Sequence, residues 1–223
     1  MLISLNTGCT GKTRRAETGS RIQATENFDH IYEQARQAIT LRLAESRLLH
    51  SFSVAKTAGD MARKYSVDVE KALIAGLLHD WDKCLSNEEL LERAREFKIE
   101  LVEGIEDMAA LLHAHTGAAA VRREFPELED DIIQAIARHT AGAPDMTDLD
   151  MIIYVADMIE PLRSQGNLMP LRVIVGKVPL EALFLKSFEM SIEHLLQRHR
   201  FIHPDSLAVW NAYVTKERNR IGG

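Results

Sequence analysis

Six side chains of the kinds that bind borderline metal ions occur in order along the chain: His50, the pair His79-Asp80, His113, His139 and Asp157. Each lies in an apolar stretch, as in Leu48-Leu-His50, Gly76-Leu-Leu-His-Asp80, Leu111-Leu-His113, Ala135-Ile-Ala-Arg-His139 and Tyr154-Val-Ala-Asp157. Burying an unpartnered imidazole or carboxylate is costly, and a shared metal site would satisfy all six at once. Imidazole nitrogen mixed with carboxylate oxygen suits iron, manganese, cobalt or zinc, whereas calcium and magnesium prefer oxygen alone. A carboxylate can bridge two ions, and Asp80 is the candidate bridge; ions about 3.5–4 Å apart activate a water and stabilise a phosphoryl transition state. Taken singly, a histidine on an apolar helix is more often a hydrogen-bonded core residue than a ligand. His115 follows His113 by two residues, so only one of them can face such a site. His30, His194 and His199 stand in polar surroundings and read as solvated.

The elements that must position these groups are helical. Leu48, Phe52, Ala55, Ala58, Ala62 and Tyr65 recur at spacings of three and four. Asp68 caps the next expected helix, and Ser86 with Glu89 has capping-box spacing for one reaching about Phe97. Further helices are expected near 107–124, 129–139, 148–160, 179–199 and 204–219, punctuated by Pro126, Gly142-Ala-Pro144, Thr147, Pro179 and Pro204. No run combines β-branched residues with strict alternation, and no internal repeat or heptad array is present. The fold class is therefore all-α, in a single domain over residues 27–223.

Residues 1–26 are rich in Thr, Gly, Ser and Arg and are expected to form a flexible extension. Their segment Gly8-Cys-Thr-Gly-Lys-Thr13 lacks the first P-loop glycine, because position 6 is Asn6. Cys9 and Cys84 make neither a disulfide framework nor a CxxC site. No apolar segment of membrane-spanning or signal-peptide length occurs, so a cytoplasmic location without a membrane partner is expected. A net charge of −6 disfavours nucleic acid as a partner but still allows a small phosphorylated ligand held by local cations.

At these residues the chain resembles the HD superfamily and, more narrowly, the symmetrical bis(5'-nucleosyl)-tetraphosphatases of the YqeK type. The resemblance runs from about Arg47 to Trp210. It is carried by Arg47-Leu-Leu-His50-Ser-Phe-Ser-Val54, Ala75-Gly-Leu-Leu-His79-Asp80-Trp-Asp-Lys83, Leu112-His113 with Gly117-Ala118, and Ala135-Ile-Ala-Arg-His139-Thr140-Ala-Gly142. Ile153-Tyr-Val-Ala-Asp157-Met-Ile-Glu160-Pro161-Leu-Arg163 is the most discriminating string, and Ile202-His203-Pro204 follows it.

The resemblance implies an HD-domain helical bundle in which His50, His79, Asp80 and Asp157 hold a metal. It implies that His113 and His139 complete a second metal or phosphate site, and that iron is the metal. It further implies that Arg47, Lys83, Thr140, Arg163, Arg200, His203 and Asp205 line a dinucleotide substrate, diadenosine tetraphosphate, which is cleaved into two ADP. It assigns no role to His115, and Asp205-Ser206 stands where a threonine is more familiar.

The expected chemistry is attack on an inner phosphorus by a water that the ions acidify. Asp80, His113 and His139 would act at the reacting atoms, with Lys83 and Arg163 neutralising phosphoryl charge. Competing readings keep the site but change the nucleotide, or keep the fold as a nucleotide-binding regulator without turnover. A homo-oligomer stays open. Arg163 could instead pair with Glu160, Arg47 with an acid on its own helix, and Lys83 with solvent. Trp81 and Trp210 could stack on a base or simply pack.

Overall fold

The structure is a computed structural model that describes residues 11–164 and 167–222, with side chains described over 27–164 and 167–220. Ten α-helices follow one another among the described residues: α1 (Gly11–Arg42), α2 (Glu45–Tyr65), α3 (Val69–Leu78), α4 (Asn87–Glu96), α5 (Leu112–Glu124), α6 (Asp130–Arg138), α7 (Asp148–Ile159), α8 (Met169–Ile174), α9 (Leu180–Gln197) and α10 (Ser206–Gly222). A 3-10 segment, Ile105–Leu111, leads into α5. No strand occurs among the described residues, so the all-α class holds. The extension expected over 1–26 falls outside the described residues, apart from the backbone of 11–26, which runs as the start of α1.

The helix starts follow local chemistry. Asp68 accepts the Glu70 and Lys71 amides at the head of α3. Ser86 with Glu89 and Thr147 with Asp150 close reciprocal capping boxes on α4 and α7. Two boundaries and one additional helix differ from expectation. The helix foreseen over 107–124 opens as the 3-10 segment, because Met108 at φ −125° is not helical. Pro179 caps α9 from outside rather than starting it. The short α8 has Pro170 in its first turn but too few residues to show a period.

The α7 helix is buried almost all round, with Met151 through Ala156 inaccessible, and it packs against α2, α6 and α9. The α2 and α3 helices approach one another through Ala55, Ala58, Ala62, Ala72, Ala75 and Gly76, all buried. Small residues allow this close crossing, and it brings His50 on one helix beside His79 at the end of the other. A Cβ on Gly76 would stand 2.8 Å from the Ala55 Cα and 3.1 Å from its nitrogen. A second, smaller apolar cluster joins α4 to the 3-10 segment through Leu90, Ala94, Ile105, Ala109 and Leu112. No helix among the described residues is long and apolar enough to cross a membrane.

Because the atom that crowds Gly76 is backbone and cannot rotate away, Gly76→Ala is expected to lower stability by about 1–3 kcal/mol despite alanine's better helix propensity. Urea unfolding followed by circular dichroism measures this. An unchanged or raised midpoint would show that the two helices have room to separate.

Candidate metal centre

The six expected ligands converge from five places. His50 lies on α2, His79 and Asp80 follow the end of α3, His113 lies in the first turn of α5, His139 follows α6, and Asp157 is in the last turn of α7. All are buried except Asp157, which is partly accessible. The His50 Nε2 is 2.9 Å from Asp157 Oδ1 and 3.9 Å from Asp80 Oδ2. The His79 Nε2 is 3.6 Å from Asp157 Oδ1 and 3.7 Å from Asp80 Oδ2. On the other side of the same carboxylate, Asp80 Oδ1 is 3.2 Å from His113 Nε2 and 3.8 Å from His139 Nε2.

The outer ring nitrogens fix the tautomers. The Nδ1 of His79, His113 and His139 faces the carbonyl oxygens of Gly76, Ala110 and Ile136, and that of His50 faces Glu160 Oε1 at 3.0 Å. Those oxygens only accept, so each Nδ1 carries the proton and each neutral ring turns a bare Nε2 lone pair inward. The buried Nε2 atoms of His50 and His79 have no hydrogen-bond partner among the described residues. Those of His113 and His139 stand 3.1 Å apart. Two lone pairs at that distance repel unless a cation or a proton lies beside them.

This donor set fits a metal. Donors on one ion at about 2.1 Å lie about 3.0 Å apart when adjacent and about 4.2 Å apart when opposite. The six histidine-to-carboxylate separations lie essentially within those limits. Donor atoms of His50, His79 and Asp157 lie within 4.8 Å of one another, as do those of His79, Asp80 and His139. His79 is common to both groups, and the two oxygens of Asp80 face the two halves, so the site could hold one ion or two.

Charge shifts express the same geometry. Burial opposes ionisation of Asp80 and Asp157, but His79 and His113 beside Asp80, and His50, His79 and Arg163 beside Asp157, hold both carboxyls below their ordinary range. Burial also disfavours charge on His79, yet Asp80 and Asp157 outweigh it and raise that pKa. His139 is pushed down to about 3 by burial and by the neighbouring His79 and His113. Without metal, positive charge is therefore favoured at His79 and disfavoured at His139.

Cationic residues surround it. Arg47 Nη1 is 3.4 Å from Asp80 Oδ2, across helices rather than along its own. Arg163 binds Asp157 Oδ1 at 2.6 Å through Nη2 and the Asp157 carbonyl through Nε; its partner is Asp157, not Glu160. Lys83 Nζ is nearly equidistant from the two ring nitrogens of His113, at 3.3 and 3.4 Å, so it lies against the ring rather than on one lone pair. Burial pushes its pKa down, with Asp80 pulling against that and Arg47 adding to it. The Thr140 hydroxyl is buried beside His139 with no hydrogen-bond partner among the described residues. Arg200 and Asp205 are exposed on the α9–α10 connection, and His203 touches Asp205, its Nδ1 3.8 Å from that carboxylate. These three make no described contact with the six ligands. His115 is exposed on α5 while His113 points inward, and Trp81 is packed edge-on to Phe125.

Glu160 is the functional group that motif reading left without this role. It is buried, accepts the Leu162 amide at 2.7 Å and receives His50 across 110 residues of sequence. In sequence it stands inside the discriminating Asp157–Arg163 string, flanked by Ile159 and Pro161, with nothing to pair it with His50. Arg172 secures that turn by donating to the carbonyls of Ile159, Glu160 and Arg163.

Comparison with known proteins adds relatives to this geometry. The family model described as HD domain matches residues 47–162. A Halalkalibacterium halodurans protein named bis(5'-nucleosyl)-tetraphosphatase, symmetrical, is 34% identical over 83% of this chain and 98% of its own length. A Bacillus subtilis protein of the same name is 31% identical over 82% and 97%. The crystal structure of a Clostridium acetobutylicum protein, described as a predicted HD superfamily hydrolase involved in NAD metabolism, superposes with a TM-score of 0.78 at 32% identity. That alignment covers 83% of this chain and 97% of the other.

Since Glu160 holds His50 at Nδ1, away from the inward Nε2, Glu160→Gln is expected to weaken metal binding about 10- to 100-fold while the helices stay formed. Calorimetric titration with Mn2+ reads the first quantity and circular dichroism the second. Undiminished affinity would mean that His50 needs no such anchor.

Proposed function

This chain belongs to the HD domain family, and on that premise we propose that it hydrolyses diadenosine tetraphosphate symmetrically, giving two ADP. The observation that carries the reading is the inward convergence of four Nδ1-anchored imidazoles on Asp80 and Asp157. The substrate comes from the relatives, which bear the symmetrical tetraphosphatase name and align over nearly their whole length.

His50, His79, Asp80 and Asp157 would hold the metal, with His113 and His139 completing the side that Asp80 Oδ1 faces. Iron is the proposed ion, and manganese, cobalt or zinc would also suit imidazole and carboxylate donors. When bound, such an ion acidifies water and polarises phosphoryl oxygens. The bond broken joins an inner phosphorus to the central bridging oxygen. That oxygen leaves with one ADP, and water supplies the new oxygen of the other.

The chain's own groups position this exchange. Arg47 and Lys83 flank Asp80 and would take phosphoryl oxygens, Lys83 as a point charge. Arg163 keeps Nη1 without a described partner after binding Asp157, and would offer it to the same phosphates. Thr140 supplies a hydroxyl next to His139. Arg200, His203 and Asp205 would meet the outer part of the dinucleotide. A cytoplasmic site of action is part of this reading, which involves no nucleic acid.

Incubating the chain with diadenosine tetraphosphate and Mn2+ or Fe2+, then separating products by chromatography, tests the proposal. ADP alone is expected, whereas AMP with ATP would overturn symmetrical cleavage. Asp80→Ala is expected to lose on the order of 10³-fold in kcat while keeping its helical spectrum, the loss of several kcal/mol of transition-state stabilisation. Full activity in that variant would place the reaction elsewhere.

A further inference from the structure

We infer that Asp82, clamped by Arg42 and Arg93, is a positioning residue: it fixes the turn that presents His79, Asp80 and Lys83 to the centre. The inference rests on the reading of that centre as a metal site.

Asp82 is completely buried, although its neighbours Asp80 and Lys83 serve the centre. Its Oδ1 accepts from Arg42 Nη2 at 2.6 Å and from Arg93 Nη1 at 2.7 Å. Arg42 also donates through Nε to the Trp81 carbonyl at 2.6 Å, and its guanidinium lies 5.0 Å over the Trp81 ring. One arginine at the end of α1 thus grips the backbone of one turn residue and the side chain of the next. Arg93 reaches the same oxygen from α4. Gly117 of α5 closes the third side, since a Cβ there would lie 3.4 Å from the Asp82 nitrogen and 3.5 Å from Trp81 Cβ.

The backbone–backbone bonds described within the turn are short-range: Trp81 to Leu78, Lys83 to Asp80 and Leu85 to Asp82. Such bonds set the curvature of the segment but not its orientation toward α2, α5, α6 and α7. The triad supplies that orientation, and small rotations matter because Asp80 must aim both oxygens at once. Stability alone explains the triad poorly, because a buried ion cluster is often replaceable by apolar groups at no loss. Both arginine side chains are partly exposed, at 25% and 29%, so water can reach them when Asp82 is removed. The fold therefore tolerates the loss better than the centre does.

The test uses the full chain stripped with a chelator and titrated with Mn2+ by calorimetry, with helical content followed by circular dichroism. Asp82→Asn is expected to bind Mn2+ about 10- to 100-fold more weakly and to lower kcat with KM changed less than about twofold. Arg42→Met, which leaves Asp82 paired with Arg93, should shift both quantities in the same direction. Wild-type Mn2+ affinity and kcat in Arg42→Met and in a folded Asp82→Asn, with only the melting temperature lowered, would overturn the inference. Should Asp82→Asn not fold, Arg42→Met decides by the same criterion. If the unsubstituted chain takes up no Mn2+, the inference and the metal reading both fall. Mn2+ binding sensitive to Asp82, without cleavage of the dinucleotide, sustains the inference and removes only the substrate reading.

Discussion

The structure depends on one electrostatic constraint: imidazole lone pairs and carboxylates must be kept facing one another out of water. Each buried group loses hydration, and lone pairs at about 3 Å repel, so the arrangement persists only if the surrounding helices prevent relaxation and a positive charge can enter. Asp80 and Asp157 raise the pKa of His79 in line with that demand. A divalent ion meets the same demand with twice the charge and more than one coordination direction.

The ways in which the rings are anchored reflect where each sits on its helix. His79 and His139 are the residues just past α3 and α6, where the last carbonyls of a helix lack intrahelical donors. Gly76 and Ile136 offer such carbonyls three residues back, so the helix end itself orients the ligand. His50 lies inside α2, where backbone acceptors are engaged, and requires an acceptor from elsewhere. Glu160 supplies it, which explains why the α7–α8 turn is tied by Arg172 although it carries no ligand. Asp82 answers a related need on the other side, where the chain leaves α3 and has no helix of its own to lean on.

Much of this was legible in the residues. The apolar setting of all six polar groups implied burial and hence a common partner, and helix periodicity with Ser86, Thr147 and Asp68 located the supports. What stayed hidden has a common physical cause. The pairings of Glu160 with His50, Arg163 with Asp157 and Arg42 with Asp82 depend on how helices cross, and local period carries no information about crossing. Short-range rules favoured Arg163 with Glu160 three residues away; instead His50 claims Glu160, and Arg163 turns to Asp157. The α8 helix is not legible in the sequence because six residues are too few to display a period.

Charge balance would join the centre to the polyanionic substrate proposed for it. Asp80, Asp157 and Glu160 contribute three carboxylates, and Arg47, Lys83 and Arg163 three cationic side chains, so the immediate surroundings are near neutral in a chain of net charge −6. Any divalent ion then makes the neighbourhood positive while the rest of the surface stays acidic. Field lines converge on such a spot, and it would attract phosphates most strongly when loaded. Arg163 and Arg47 contact Asp157 and Asp80 directly, so neutralisation of those carboxylates by the ion would free guanidinium nitrogens for phosphoryl oxygens. On the proposed reading, ion and substrate would be coupled through the same two carboxylates, so that binding of one would prepare the groups that receive the other.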